Sequence, residues 1–137
     1  MATMTAARPR AVRARSRSSR HLLGASLMIL VGAFLPWIHT AAGNILGIHG
    51  PGLVTMYAAF LGIAGAIVRS PRVVSVHAAL VAVPALVLPV WQVARFVSRV
   101  GFEGWMPGAG VVLTFGGGVL AAVAAVRLWQ ESTRARS

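Results

Sequence analysis

Four histidines, His21, His39, His49 and His77, carry most of the chemical range of this 137-residue chain, because imidazole can ligate a metal or haem iron and exchange a proton near neutral pH. The residues that usually complete such sites are missing. The chain has no Cys, Asp or Lys, and its only carboxylate side chains are Glu103 and Glu131. Thiolate chemistry, iron–sulfur clusters, Schiff bases and paired-carboxylate catalysis therefore have no residues to work with. No HExxH, Walker A loop or Rossmann-type GxGxxG occurs either, so the chain is not expected to be an enzyme.

Two histidine pairings survive a count of residues along the apolar segments. His21 with His77, both toward one end, would be the pair to hold a haem, and His39 with His49 and Asn44 would be the set for a metal at the other end. Neither has a carboxylate beside it to orient the rings, so no cofactor and no metal is expected. His77 stands apart as the one titratable side chain inside an apolar run, which makes it a candidate functional residue. One turn from the run's end, its expected role is to stay neutral and hydrogen-bond a neighbouring carbonyl or Thr.

The segments that must position these residues are apolar throughout. Hydrophobic residues make up 57% and charged residues 11% of the chain, against about 25% charged in an ordinary soluble domain. Mean hydropathy is +0.76. These values point to an all-α integral membrane protein with four transmembrane helices, over about 22–38, 53–68, 73–97 and 111–128. Residues 1–20, which hold six Arg among Ala, Ser and Thr, read as a disordered cytoplasmic tail, 21–129 as the transmembrane domain, and 130–137 as a second tail. Pro84 and Pro89 in the third segment remove the donors for the carbonyls of Leu80 and Ala85 and predict a bend there.

Arginine placement sets the orientation. With both termini inside, only Arg95 and Arg99 of the thirteen Arg fall on the outer side, as the positive-inside rule requires. Trp37, Trp91 and Trp105 then mark the outer interface and Trp129 the inner one. The expected location is a bacterial cytoplasmic membrane, the Arg-only basic set suggesting a high-GC genome. The competing reading is a cleaved secretory signal: the Arg-rich start, the first apolar run and Thr40-Ala41-Ala42 have its outline, but Trp37-Ile38-His39 is bulky for a cleavage site.

Residues 50–69 align without gaps on 108–127, pairing Gly50 with Gly108, Gly52 with Gly110, Val54 with Val112 and Arg69 with Arg127. This is a possible 2+2 parallel internal repeat of helical hairpins, whose halves would be related by an axis along the membrane normal. The Gly-X-Gly starts at Gly50, Gly52, Gly108 and Gly110 would allow a tight turn or close backbone approach. Small residues at spacing four, Ala58, Gly62 and Ala66 in the second helix and Gly117, Ala121 and Ala125 in the fourth, define helix-packing faces. Residues 91–100 are amphipathic at helical spacing, with Gln92, Arg95 and Arg99 opposite Val93, Phe96, Val97 and Val100.

The functional expectation follows from what is left. The lipid bilayer is one partner, a second membrane protein or another copy of the chain is the other, and nucleic acid is not expected because the basic residues flank apolar runs. A non-enzymatic accessory or assembly subunit of a larger membrane complex is the leading reading. The alternative is a minimal oligomeric transporter or channel for a small solute, for which Ser26, Thr55, Tyr57, Ser75, His77, Gln92 and Thr114 would be the inward polar residues.

Overall fold

The computed structural model describes residues 8–134. Helix α1 spans Arg8–Phe34, strands β1 and β2 Pro36–Thr40 and Gly43–Leu46, and a 3-10 turn Gly47–His49; then come α2 (Gly52–Ile67), α3 (Pro71–Val100), β3 (Trp105–Pro107) and α4 (Ala109–Arg134). The protein is mostly helical with four helices, but it is not all-α. The strands form one antiparallel sheet in the order β2-β1-β3.

Two of the helices, α3 and α4, are long and apolar enough to cross a membrane. At 30 and 26 residues they extend about 45 Å and 39 Å at 1.5 Å per residue. The 16-residue α2 extends about 24 Å. Helix α1 starts at Arg8, fourteen residues before the expected boundary, so the expected disordered tail 1–20 is helical from that residue on. Ala and Arg are good helix formers, and the adjoining apolar helix supplies the nucleus. Residues 1–7 lie outside the described residues, as do 135–137; the expected tail over 130–137 is helical to Arg134.

At the other end α1 stops four residues short of the expected 38. Pro36 has no N–H to give the Gly32 carbonyl and disfavours helical geometry at the residue before it. The chain turns into β1 instead. Helix α3 starts with Pro71 in its first turn after an extended Ser70, and it ends at Gly101, whose positive φ of 78° is readily adopted only by glycine. Residues 91–100 thus continue α3.

The helices pack in a ring, α1 against α2 and α4, and α3 against α2 and α4, with α1 and α3 at opposite corners. Leu22, Ala25, Ile29, Ala59, Val74, Ala78, Val81, Ala85, Ala121 and Leu128 form its centre. The predominance of Ala lets the backbones approach closely. Outward, the same helices expose Leu27, Val31, Tyr57, Phe60, Val83, Val87, Val119 and Val123.

The sheet closes the end of the ring where α1 and α3 finish and α2 and α4 begin. The pairing register of β1 shifts between Pro36 and Ile38, so that Trp37 and Ile38, neighbours that would ordinarily point to opposite faces, are both buried, at 1% and 0% exposure. Trp37 is therefore a core residue and not the interface residue expected from its position. Its indole N–H donates to the Gly32 carbonyl at 3.0 Å, the same carbonyl that Pro36 leaves without a backbone partner. Two further bonds tie this end together: Gly47 N–H to the Leu35 carbonyl at 3.2 Å and Gly108 N–H to the Trp37 carbonyl at 2.7 Å. Thr40, Ala41, Ala42 and Gly43, where a signal-peptidase site would lie, form the turn between β1 and β2.

Candidate functional site

Two of the histidines are tied to partners of their own. His77 Nδ1–H donates to the carbonyl of Val73 at 2.8 Å, one turn back on its own helix, and its Cβ lies against Gly65 of α2. His21 is exposed on α1, at the opposite corner of the ring from α3. His39 and Asn44 are directly opposite across β1 and β2, and His39 Nδ1–H donates to Asn44 Oδ1 at 2.7 Å. His49 is exposed at the end of the 3-10 turn. Among the described residues no three His, Asp or Glu side chains are grouped as metal ligands.

The small-residue stripes lie at helix contacts within the chain. A Cβ on Gly62 would overlap Ser26 Oγ of α1 and come within 2.9 Å of Val81 Cγ2 of α3. One on Gly117 would fall 2.6 Å from Ile29 Cγ1 and 2.8 Å from the Ala25 carbonyl oxygen of α1. Ala58 and Ala121 are buried, while Ala66 and Ala125 are partly buried against the core. Two glycines outside the predicted stripes make comparably close contacts, Gly32 against Thr114 and Gly65 against His77, each 2.5 Å from an added Cβ, and Gly118 packs less tightly against Ala85 and Leu86, at 3.0–3.1 Å. Their partners lie on other helices, which intrahelical spacing does not show.

The Gly-X-Gly starts behave unequally. Gly52 abuts the backbone of Gly47, and Gly110 abuts the carbonyls of Gly32 and Leu35 and the ring of Trp37. Gly108 abuts the carbonyl of Pro36, whereas Gly50, its counterpart in the alignment, has open space. The close approaches are to the protein's own backbone, which leaves these glycines as packing residues of the capped end.

The ring's interior carries few polar groups. Thr55 donates to the Gly52 carbonyl at 2.8 Å and Ser75 to the Ala125 carbonyl at 3.2 Å, while the buried hydroxyls of Ser26 and Thr114 face glycines and have no hydrogen-bond partner. Carbon–hydrogen donors of glycine are weak partners for such oxygens at helix contacts. Adding a methyl at Gly62 should then cost about 1–3 kcal/mol by overpacking, and Ser26→Ala should return part of that loss. Thermal unfolding of the two single variants and the double variant in detergent measures it; strictly additive effects would show that Ser26 and Gly62 do not share the contact.

The concave feature with the clearest chemistry lies between the outer parts of α3 and α4. It is a groove of about 600 Å³ lined by Pro89, Val90, Val93 and Ala94 on one side and by Val111, Val112, Phe115 and Gly116 on the other. No lining side chain has a polar atom, so the groove suits a hydrocarbon surface and offers nothing to a hydrophilic solute. Above it Arg95 stacks on Trp91 at 5.0 Å, and Phe96 meets Trp105 of β3 edge to face at 5.2 Å. Trp91 and Trp129 are exposed and Trp105 is half-buried. Compared with known proteins, the chain matches no family model and no curated relative.

Proposed function

We propose that the chain is a four-span protein of a bacterial cytoplasmic membrane, with both termini on the cytoplasmic side, and that it acts as a non-enzymatic accessory or assembly subunit of a larger membrane complex. The observation that carries this reading is the inverted distribution of residue types. Among the residues whose burial is described, most of the Leu, Val and Phe side chains on the helices face outward, while the interior, Leu22, Ile29, Val74, Val81 and Leu128 apart, is built mainly of Ala, Gly, Ser and Thr. A helix on the surface of a soluble protein does the reverse, and soluble monomers rarely expose contiguous apolar patches above a few hundred Å². In lipid the arrangement is favourable, because small residues bring backbones into contact and the large side chains meet acyl chains.

Charge supports the orientation. Arg17, Arg20, Arg69, Arg72, Arg127 and Arg134 belong to the end away from the sheet, and Arg95 and Arg99 to the sheet end. The short α2 matches a thinned bilayer or one in which Arg69 reaches out to the headgroups. The ring is also compatible with a parallel 2+2 repeat, since an axis along the bundle would exchange α1 with α3 and α2 with α4. The connections break that symmetry: the β1–β2 hairpin has no counterpart in 101–107.

A subunit role fits a molecule whose small-residue faces serve its own packing and whose outward surface carries large apolar side chains and an apolar lateral groove. The transporter reading has less support, because the buried hydroxyls are divided among separate helix contacts, and a solute path would have to run between protomers. Native mass spectrometry on the tagged chain, taken gently from its own membrane, tests the role. A larger membrane protein in fixed stoichiometry is the expected result. A homo-oligomer with no such partner would overturn the subunit reading in favour of transport.

A further inference from the structure

Burial along α3 changes abruptly at Pro89. Val74, Ser75, Ala78, Val81, Ala82, Ala85 and Pro89 are all buried, whereas none of residues 90–100 is. The same residue sits where the helix's own backbone is weakest, because Pro84 and Pro89 have no N–H for the carbonyls of Leu80 and Ala85. On the bundle side of this point α3 is clamped. A Cβ on Gly118 of α4 would lie 3.1 Å from the carbonyl carbon of Ala85 and 3.0 Å from Leu86 Cγ, and Ser75 bonds across to the Ala125 carbonyl.

On the far side the groove lies between the two helices, with Val90, Val93 and Ala94 on one wall and Val111, Val112, Phe115 and Gly116 of α4 on the other, and Val93 only half-buried. The arm's own attachments are few and local: the Phe96–Trp105 ring contact, the Gly101 N–H to Val97 carbonyl bond at 2.9 Å, and the Trp105 indole bond to the Gly101 carbonyl at 2.8 Å. From these observations we infer that Pro89 is a hinge, about which the outer arm of α3, residues 90–100, swings relative to α4 and sets the width of the apolar groove. Low contact density beyond a point of lost backbone bonding is the condition under which a segment moves as a unit. The arm's travel is limited by β3, which is paired to β1, so it opens and narrows the groove without leaving the bundle. The inference goes beyond the subunit role and holds with or without a partner.

The chain has no cysteine, so nitroxide labels can be placed freely on the full-length protein. One pair, Ser98→Cys with Val119→Cys, spans arm and α4, and a control pair, Val76→Cys with Val123→Cys, spans the same helices below the hinge; all four positions are exposed. Pulsed electron resonance should give a single narrow distance for the control and a broad or two-peaked distribution for the arm. Pro89→Ala, which restores an N–H for the Ala85 carbonyl, should narrow the arm distribution and leave the control as it was. An arm as narrow as the control in the parent chain, or an arm equally broad in Pro89→Ala with a narrow control, would overturn the hinge. Should Pro89→Ala broaden the control as well, and so report a disturbed fold, Val93→Phe decides: filling the groove narrows a swinging arm, and no change there overturns the proposal.

Discussion

Trp37→Ala is expected to destabilise the protein by about 3–5 kcal/mol, the range for removing a fully buried large aromatic side chain. Three losses coincide at this residue. The ring is 1% exposed beneath the sheet, so its removal leaves a cavity that the surrounding backbone cannot fill. Its N–H is the donor for the Gly32 carbonyl, which Pro36 cannot serve. It also lies against both Gly47 and Gly110, so the hairpin and the start of α4 lose a shared contact together. Trp37→Phe separates these contributions: it keeps most of the packing and should cost about 1 kcal/mol for the unsatisfied carbonyl plus a smaller packing loss. Unfolding in detergent, followed by circular dichroism at increasing denaturant, gives both values. A loss under about 1 kcal/mol for the Ala variant would mean that the cap does not hold the ring together.

The capped end is also where the sequence was hardest to read. Trp37 and Ile38 continue the apolar run that starts at Leu22, and a hydropathy window cannot tell a buried strand from the last turns of a helix. The informative signals were local. Pro36 marks a stop, Trp-Ile-His-Thr is a β-prone run, and Gly43, at φ 134°, supplies a conformation that suits the end of a tight hairpin. β3 has only three residues and no such signal, since it exists because β1 is there to pair with it. By contrast, α2, α3 and α4 were legible to within a few residues at their starts, because Arg69-Ser70-Pro71 and the Gly-X-Gly segments punctuate long apolar runs.

The groove and the tightest helix contacts depend on geometry between helices. Spacing of four along one helix pointed to Gly62 and Gly117, whereas the partners that crowd Gly32 and Gly65 belong to other helices, which such spacing does not show. The groove has a partial signal in Pro89, since a helix interrupted there invites a gap beyond it. Its opposite wall, Val112, Phe115 and Gly116, is ordinary apolar helix. Which lateral space remains open depends on how the helices diverge, and one helix's sequence does not encode that.

Gly110→Leu is the second substitution expected to act strongly, with a loss near or above the upper end of the roughly 1–3 kcal/mol typical of overpacking. A Cβ at this position would lie 2.7 Å from the Gly32 carbonyl oxygen, 2.8 Å from that of Leu35 and 2.6 Å from Trp37 Cδ1. Two of those neighbours are backbone atoms, which cannot rotate aside, so α1 and α4 must separate or Trp37 must leave its place. Gly24→Leu is the control: the same residue is added to a helix where no atom lies within 4 Å of the new Cβ. There, helix propensity favours the substitution by up to about 1 kcal/mol. The two variants should therefore differ in sign, although each replaces one helical glycine with the same side chain. Tryptophan emission adds a second readout, because displacing the most buried of the four Trp should shift the spectrum to the red in Gly110→Leu and leave it unchanged in Gly24→Leu. Equal stability of the two variants would show that α1 and α4 do not meet at Gly32 and Gly110, and with that contact gone the close-packed ring itself would have to be redrawn.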